Sequence, residues 1–150
     1  MEIVIRDGSE KDLAPLLDLI REFATFQKSM HAVDNSLDRM LADFPSINFL
    51  LAEEAGGEMV GYLAYYHCYF TWSGKGIQMD DLFVKQSYRG AGIGSQLVDR
   101  LKSIAQDSGC RKLKWQVSWW NGEAIEFYKK LGVGVSSEEW NCQLILDSEK

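Results

Sequence analysis

Arg89-Gly90-Ala91-Gly92-Ile93-Gly94-Ser95 decides how the rest of the chain is read. It follows a strand-like run, Ile77 to Val84, and leads into Leu97, Val98, Leu101, Ile104 and Ala105 at helical spacing. Strand, glycine-rich turn and helix together make a layout for an anion. Glycines let the backbone take left-handed angles and approach a ligand closely. The free N–H groups of the first helical turn, with the helix dipole, favour negative charge. Two common versions of this layout do not fit. A dinucleotide fingerprint needs a glycine at its sixth position, where Ser95 stands counting from Gly90 and Leu97 counting from Gly92. A P-loop needs Gly-Lys-Ser/Thr after four residues, and that is absent. What remains is Arg-x-x-Gly-x-Gly, Arg89 to Gly94.

Downstream, the helix that begins at this turn meets its C-terminal glycine at Gly109. Lys112 to Val117 reads as a strand, Asn121 to Leu131 as a helix capped by Asn121, and Gln143 to Leu146 as a closing strand. Upstream, residues 2–6 alternate like a strand. Ser9 offers a cap with Asp12 in the first turn, and Leu13, Leu16, Leu17, Ile20, Phe23, Ala24 and Gln27 keep helical spacing to about residue 28. A shorter helix fits Ser36 to Phe44, ended by Pro45. Asn48 to Glu53 and Met59 to Tyr69 are strands joined by a turn at Ala55 to Glu58, and Trp72 to Gly76 is a second turn. The order is β-α-α-β-β-β-α-β-α-β, antiparallel hairpins followed by a βαβ crossover. It predicts an α/β chain of mixed α+β character: a central mixed, mostly antiparallel sheet flanked by helices. Neither a linker nor a repeat interrupts it, so residues 1–150 read as a single domain.

The composition narrows the function. Of 150 residues, 46% are apolar and 25% charged, as in a soluble globular protein. The net charge of -6 repels phosphate backbones, which argues against a nucleic-acid partner and suits a cationic substrate. The apolar segments fall short of the ~20 residues that span a membrane, and Met1 to Arg6 reads as a strand rather than a signal peptide. Cys68, Cys110 and Cys142 are odd in number and widely spaced, so neither a disulfide framework nor a metal site is implied, and reduced thiols point to the cytoplasm. His67 beside Cys68 makes no nucleophile pair, since strand neighbours face opposite ways.

A second pattern lies 27 residues beyond Gly94: Asn121, Ala124, Tyr128 and Gly132, or Asn-x-x-Ala-x-x-x-Tyr-x-x-x-Gly. Ala124 and Tyr128, four apart, share a helix face. The two motifs in this order resemble those of the GNAT family of N-acetyltransferases, whose glycine turn binds the pyrophosphate of coenzyme A. Including the strand before each motif, the resemblance spans about residues 59–146. Val133 departs from it, standing where the family usually has an aromatic, which touches packing more than chemistry. Val60 to Tyr66, Asp80 to Val84, Tyr88 to Ser95, Phe127-Tyr128-Lys129 and Ser136 to Trp140 are similar to the diamine acetyltransferases, the group holding spermidine/spermine N1- and thialysine Nε-acetyltransferase.

The resemblance implies an acyltransferase that moves acetyl from acetyl-CoA to a primary amine by direct attack in a ternary complex. It implies that Leu82, Phe83 and Val84 pair with the pantetheine arm. It also implies that Arg89, Gly90, Ala91, Gly92, Ile93, Gly94 and Ser95 hold the pyrophosphate, and that Asn121 and Ala124 line the cofactor's path. Amine attack expels a thiolate whose conjugate acid has a pKa of about 8.5, and the Tyr128 phenol is placed to assist it. Asp80 matches an acidic position proposed to deprotonate the incoming ammonium through water. Phe26, Gln27, Asp80, Asp81 and Glu139 are the candidate acceptor-binding residues. Gln27 and Phe70 stand where polyamine-acetylating relatives place acidic residues, which favours a smaller amine such as a lysine analogue or short diamine. Tyr62, Tyr65, Tyr66, Tyr69, Phe70 and Trp72 could wall an acceptor pocket or pack a core and a dimer surface. The group's members are typically homodimers. A protein lysine or N-terminal acetyltransferase and a non-catalytic acyl-CoA-binding module remain as alternatives.

Overall fold

Five strands form one sheet in chain order: β1 (Ile3–Asp7), β2 (Asn48–Glu54), β3 (Met59–Phe70), β4 (Gly74–Val84) and β5 (Lys112–Lys114). The first four run antiparallel; β5 lies parallel to β4, with Gly76 to Gln78 opposite Lys112 to Lys114. Helix α3 (Ile93–Asp107) makes that crossover, as a parallel pair requires. The chain is seen in a computed structural model that describes residues 2–146. It divides into two compact units, Met1–Gln116 and Val117–Lys150.

In the first unit both sheet faces are buried. On one, Leu51, Tyr62 and Phe83 join Leu13, Leu16, Leu17 and Leu19 of α1 (Leu13–Phe26) and Met40 of α2 (Leu37–Asp43) in a single apolar cluster. Alternation turns the neighbours Leu50 and Leu63 to the opposite face, where they are fully buried. Helix α3 packs against all five strands, burying Ile93, Leu97, Leu101 and Ala105, spaced by four along one stripe.

Ion pairing fixes the entry into α1. Arg6 of β1 donates from Nη1 and Nη2 to the two oxygens of Asp12 at 2.8 and 3.0 Å, and from Nη2 and Nε to Glu53 Oε2 at 2.6 and 2.9 Å. Ser9 adds its N–H to Asp12 Oδ2 at 2.8 Å. The buried Asp12 carboxyl is thereby held well below the usual carboxylate range, with the Arg6 hydrogen bonds as the main cause.

In the second unit, α4 (Gly122–Lys130) is capped by Asn121, whose Oδ1 accepts from Ala124 N–H at 3.1 Å. Gly132, at φ +82°, ends it in the left-handed region.

Most boundaries follow the sequence reading, with local differences. Ser9 caps a 3-10 turn, Glu10–Asp12, that leads into α1. Helix α1 ends at Phe26, and Lys28 turns left-handed at φ +57°. Strand β4 starts at Gly74, inside the expected turn. Strand β5 stops at Lys114, because its pairing with β4 stops at Gln78. The expected strand Gln143 to Leu146 is absent: these residues are exposed and have no regular structure. A short apolar run becomes a strand only where a sheet edge satisfies its backbone, and no described strand pairs with this one. Among the described residues no helix is long and apolar enough to cross a membrane.

Candidate active site

The glycine turn has the geometry the sequence called for. Gly90 and Gly92 sit at φ +82° and +81°, a region that disfavours any side chain. A Cβ at either would meet nothing within 4 Å, so the backbone faces open space. Gly92 is the N-cap of α3 and supplies no capping side chain. The first intrahelical bond runs from Gln96 N–H to Gly92 O at 3.0 Å, which leaves the N–H groups of Ile93, Gly94 and Ser95 at the helix mouth, suited to a phosphate group. Arg89 turns away from that mouth. Its Nε donates to Val84 O at 2.8 Å, and its guanidinium lies over the rings of Phe26 at 4.6 Å and Phe83 at 5.6 Å. These three residues, with Glu22, Lys85, Gln86 and Ser87, line a cleft of about 400 Å³.

Strand β4 leaves an edge open beside this turn. Its pairing with β5 ends at Gln78, so among the described residues no strand covers that edge at Leu82, Phe83 and Val84. An extended amide-bearing chain could add there as a strand would.

The carboxylates of β4 are separated by a bulge. Ala64 lies opposite Asp81 and Tyr65 opposite Met79, so Asp80 is the extra residue. This changes which face each side chain takes. Asp80 is exposed. Asp81, opposite the core-packed Ala64, joins the face of Tyr62 and Phe83. The Tyr62 hydroxyl donates to Asp81 Oδ2 at 2.9 Å. Burial, with the nearby Asp80 charge second, raises the Asp81 carboxyl to about 6, while the Tyr62 bond pulls the other way. The Tyr62 phenol is pushed far above its ordinary value by burial and by Asp81, and stays protonated.

The other expected residues lie as follows. Gln27 is the half-buried C-cap of α1. The aromatics of β3 do not gather into one wall: Tyr62 is fully buried, whereas Tyr66, Tyr69 and Trp72 are exposed, and Phe70 takes the Lys112 ammonium over its ring at 4.1 Å. In the second unit, Ala124 and Tyr128 lie one turn apart on α4, and Glu139 is exposed in the irregular segment after it. Tyr128 is buried, 7% exposed, and its ring packs on Phe127 at 5.3 Å. Burial raises its phenol to about 12, so at neutral pH it holds a proton to donate.

The helix mouth and the open strand edge beside it suit a ligand that carries both phosphate and an extended amide-bearing chain. The acetyltransferase (GNAT) family model matches residues 13–133. The chain belongs to that family. As a GNAT acetyltransferase it is an acyltransferase that uses acetyl-CoA. A thialysine N-epsilon-acetyltransferase of Bos taurus is 38% identical to it, over 93% of this chain and 90% of the relative. A spermidine/spermine N(1)-acetyltransferase-like protein 1 of Homo sapiens is 32% identical over 90% of this chain and 21% of its own length. The crystal structure of an aminoglycoside acetyltransferase from an uncultured soil metagenomic sample, in complex with sisomicin, matches with a TM-score of 0.81 over 97% of each chain. At 18% identity that likeness is one of fold.

In sequence Tyr62 is only one of several β3 aromatics, and Glu22 carries no signal that sets it apart. The bulge that separates Asp80 from Asp81 leaves no local mark in sequence, since the pair reads equally well as an unbroken strand.

Proposed function

We propose that this GNAT enzyme acetylates the primary amine of a small molecule, a diamine, polyamine or lysine analogue such as thialysine, by direct attack of the amine on acetyl-CoA in a ternary complex. The observation that carries this reading is the 38% identity to a thialysine N-epsilon-acetyltransferase over nearly the whole chain. The cleft beside Phe26 and Phe83, about 400 Å³, has room for a compact acceptor. Residues 1–150 serve as one N-acetyltransferase domain, since the family match runs across both units.

The residue roles proposed here are those the family resemblance implies, supported by the local geometry of each residue. The Ile93, Gly94 and Ser95 amides at the helix mouth receive the pyrophosphate, and the open β4 edge at Leu82 to Val84 receives the pantetheine amides. A β4 carboxylate, Asp80 or Asp81, takes the proton of the acceptor ammonium, because only the free amine can attack. The lone pair then forms the C–N bond, the C–S bond breaks, and the Tyr128 phenol donates toward the departing sulfur. Asn121 and Ala124 shape the start of α4, and Phe26, Gln27 and Glu139 contact the acceptor.

The proposal includes a cytoplasmic homodimer. Its supports are the diamine acetyltransferase resemblance, the exposed Tyr66, Tyr69 and Trp72, and three unpaired cysteines.

The test is product identification by mass spectrometry after incubation with acetyl-CoA and thialysine, lysine, ornithine, putrescine, spermidine or a lysine peptide. A monoacetylated small amine is expected. Acetylation of the peptide alone would replace this reading with the protein-acetyltransferase one, and acetyl-CoA binding with no product would favour a non-catalytic module.

A further inference from the structure

We propose that Asp81 rather than Asp80 takes the proton from the acceptor ammonium, and that Tyr62 is the positioning residue that holds its carboxylate for the task. The inference rests on the amine-acetylation reading above.

An unbroken strand would put residues 79 and 81 on one face and residue 80 on the other. The extra residue at Asp80 reverses this after Met79. Asp81 therefore shares its face with Phe83, two residues on, and Phe83 lines the cleft with Phe26 and Arg89. Asp80 is left exposed at the point where the strand bends.

Tyr62 then fixes one of the two Asp81 oxygens. Its ring is locked in the core, edge-on to Phe23 at 6.5 Å and tilted against Phe83 at 6.3 Å, and it has no exposed surface. A hydroxyl so held cannot swing away, and its 2.9 Å bond occupies Oδ2. Oδ1 accepts no hydrogen bond from any described residue, which leaves it as the oxygen to take a proton. Two ionisable groups act on Asp81: Tyr62 from β3 and Asp80 from β4. Helix α1 presents the apolar Ile20 and Phe23 to this cluster. The raised carboxyl, at about 6, sits nearer to working pH than an ordinary aspartate, which suits a base.

The ammonium passes one proton to Asp81 Oδ1, giving a free amine and a neutral carboxylic acid. The amine attacks the thioester carbonyl, the C–N bond forms, the C–S bond breaks, and the second nitrogen proton is made good on the departing sulfur, so coenzyme A leaves as its thiol. The carboxylic acid returns its proton to solvent, so acetyl-CoA and an ammonium become an amide, coenzyme A and one proton.

The experiment is the pH profile of kcat/KM with acetyl-CoA and thialysine for wild type, Asp81→Asn, Asp80→Asn and Tyr62→Phe, with thermal melts confirming that each is folded. Wild type should show an acidic limb near pH 6. Asp81→Asn should lose a hundredfold or more and lose that limb. Asp80→Asn should stay within about tenfold of wild type, and its limb should move to lower pH, because a like charge is gone. Tyr62→Phe should move the limb to higher pH, because the bond that favoured the carboxylate is gone. A purely structural role for Tyr62 would lower stability without moving the limb. Loss of the limb in Asp80→Asn with its retention in Asp81→Asn would overturn the assignment while leaving amine acetylation intact. A wild type without turnover on any amine of the panel would remove the parent reading and the assignment together.

Discussion

Replacing Asp81 with asparagine should make the protein more stable at pH 8 and leave it nearly unchanged at pH 4. In the native fold the Asp81 carboxyl titrates at about 6 against an ordinary 3.8. Between those values the native state binds more protons than the unfolded chain, so stability falls as pH rises through the window and stays lowered above it. A displacement from 3.8 to about 6 corresponds to about 3 kcal/mol. Asparagine carries no charge, and its amide oxygen still accepts from the Tyr62 hydroxyl. The variant should therefore recover most of this, about 2–3 kcal/mol, or roughly 5–10 °C in Tm for a chain of this size. The assay is a pair of thermal melts of both proteins at pH 4 and pH 8. The difference should be small at the lower pH and near its full size at the higher. An equal difference at both values, or a variant less stable at pH 8, would refute the idea that this carboxylate is held charged against its environment. Combined with lost turnover, the expected result would mark Asp81 as a group kept for chemistry at the expense of stability.

Asp12 should behave in the opposite sense. Its carboxyl is held low by Arg6, so it contributes stability above about pH 4 that is lost as the pH falls further. Asp12→Asn should cost about 2–4 kcal/mol at pH 7, seen in urea unfolding, and the gap to wild type should narrow in acid. Tyr128→Phe should leave the acetyl-CoA dissociation constant unchanged and lower kcat tenfold or more; equal kcat in a steady-state assay would remove its role as proton donor. Gly92→Ala should place a side chain at φ +81°, costing about 1–2 kcal/mol and weakening coenzyme A binding in calorimetry; unchanged affinity would show that this turn does not cradle the ligand.

Local chemistry was readable where one residue type has one structural use. The glycines at 90 and 92 and the stripe from Leu97 to Ala105 led directly to a left-handed turn and an amphipathic helix. Asn121 was recognisable as a cap, and its side chain does accept from Ala124 N–H. The alternating antiparallel strands were legible for the same reason. What could not be read depends on pairing between distant segments. The bulge at Asp80 exists only in relation to Ala64 and Tyr65 on the neighbouring strand, so the different fates of the two aspartates were hidden. The bond from Tyr62 to Asp81 spans 19 residues and leaves no periodic trace. The apolar run Gln143 to Leu146 has strand composition, but composition cannot supply the partner edge a strand needs.

The central claim, amine-dependent transfer from acetyl-CoA, is tested most directly by coenzyme A release, followed by thiol titration, in the presence and absence of thialysine. Thiol release should require the amine and match acetyl-thialysine formation one for one. Release at the same rate without any amine, or none with thialysine, ornithine, putrescine or spermidine despite measurable acetyl-CoA binding, would contradict it.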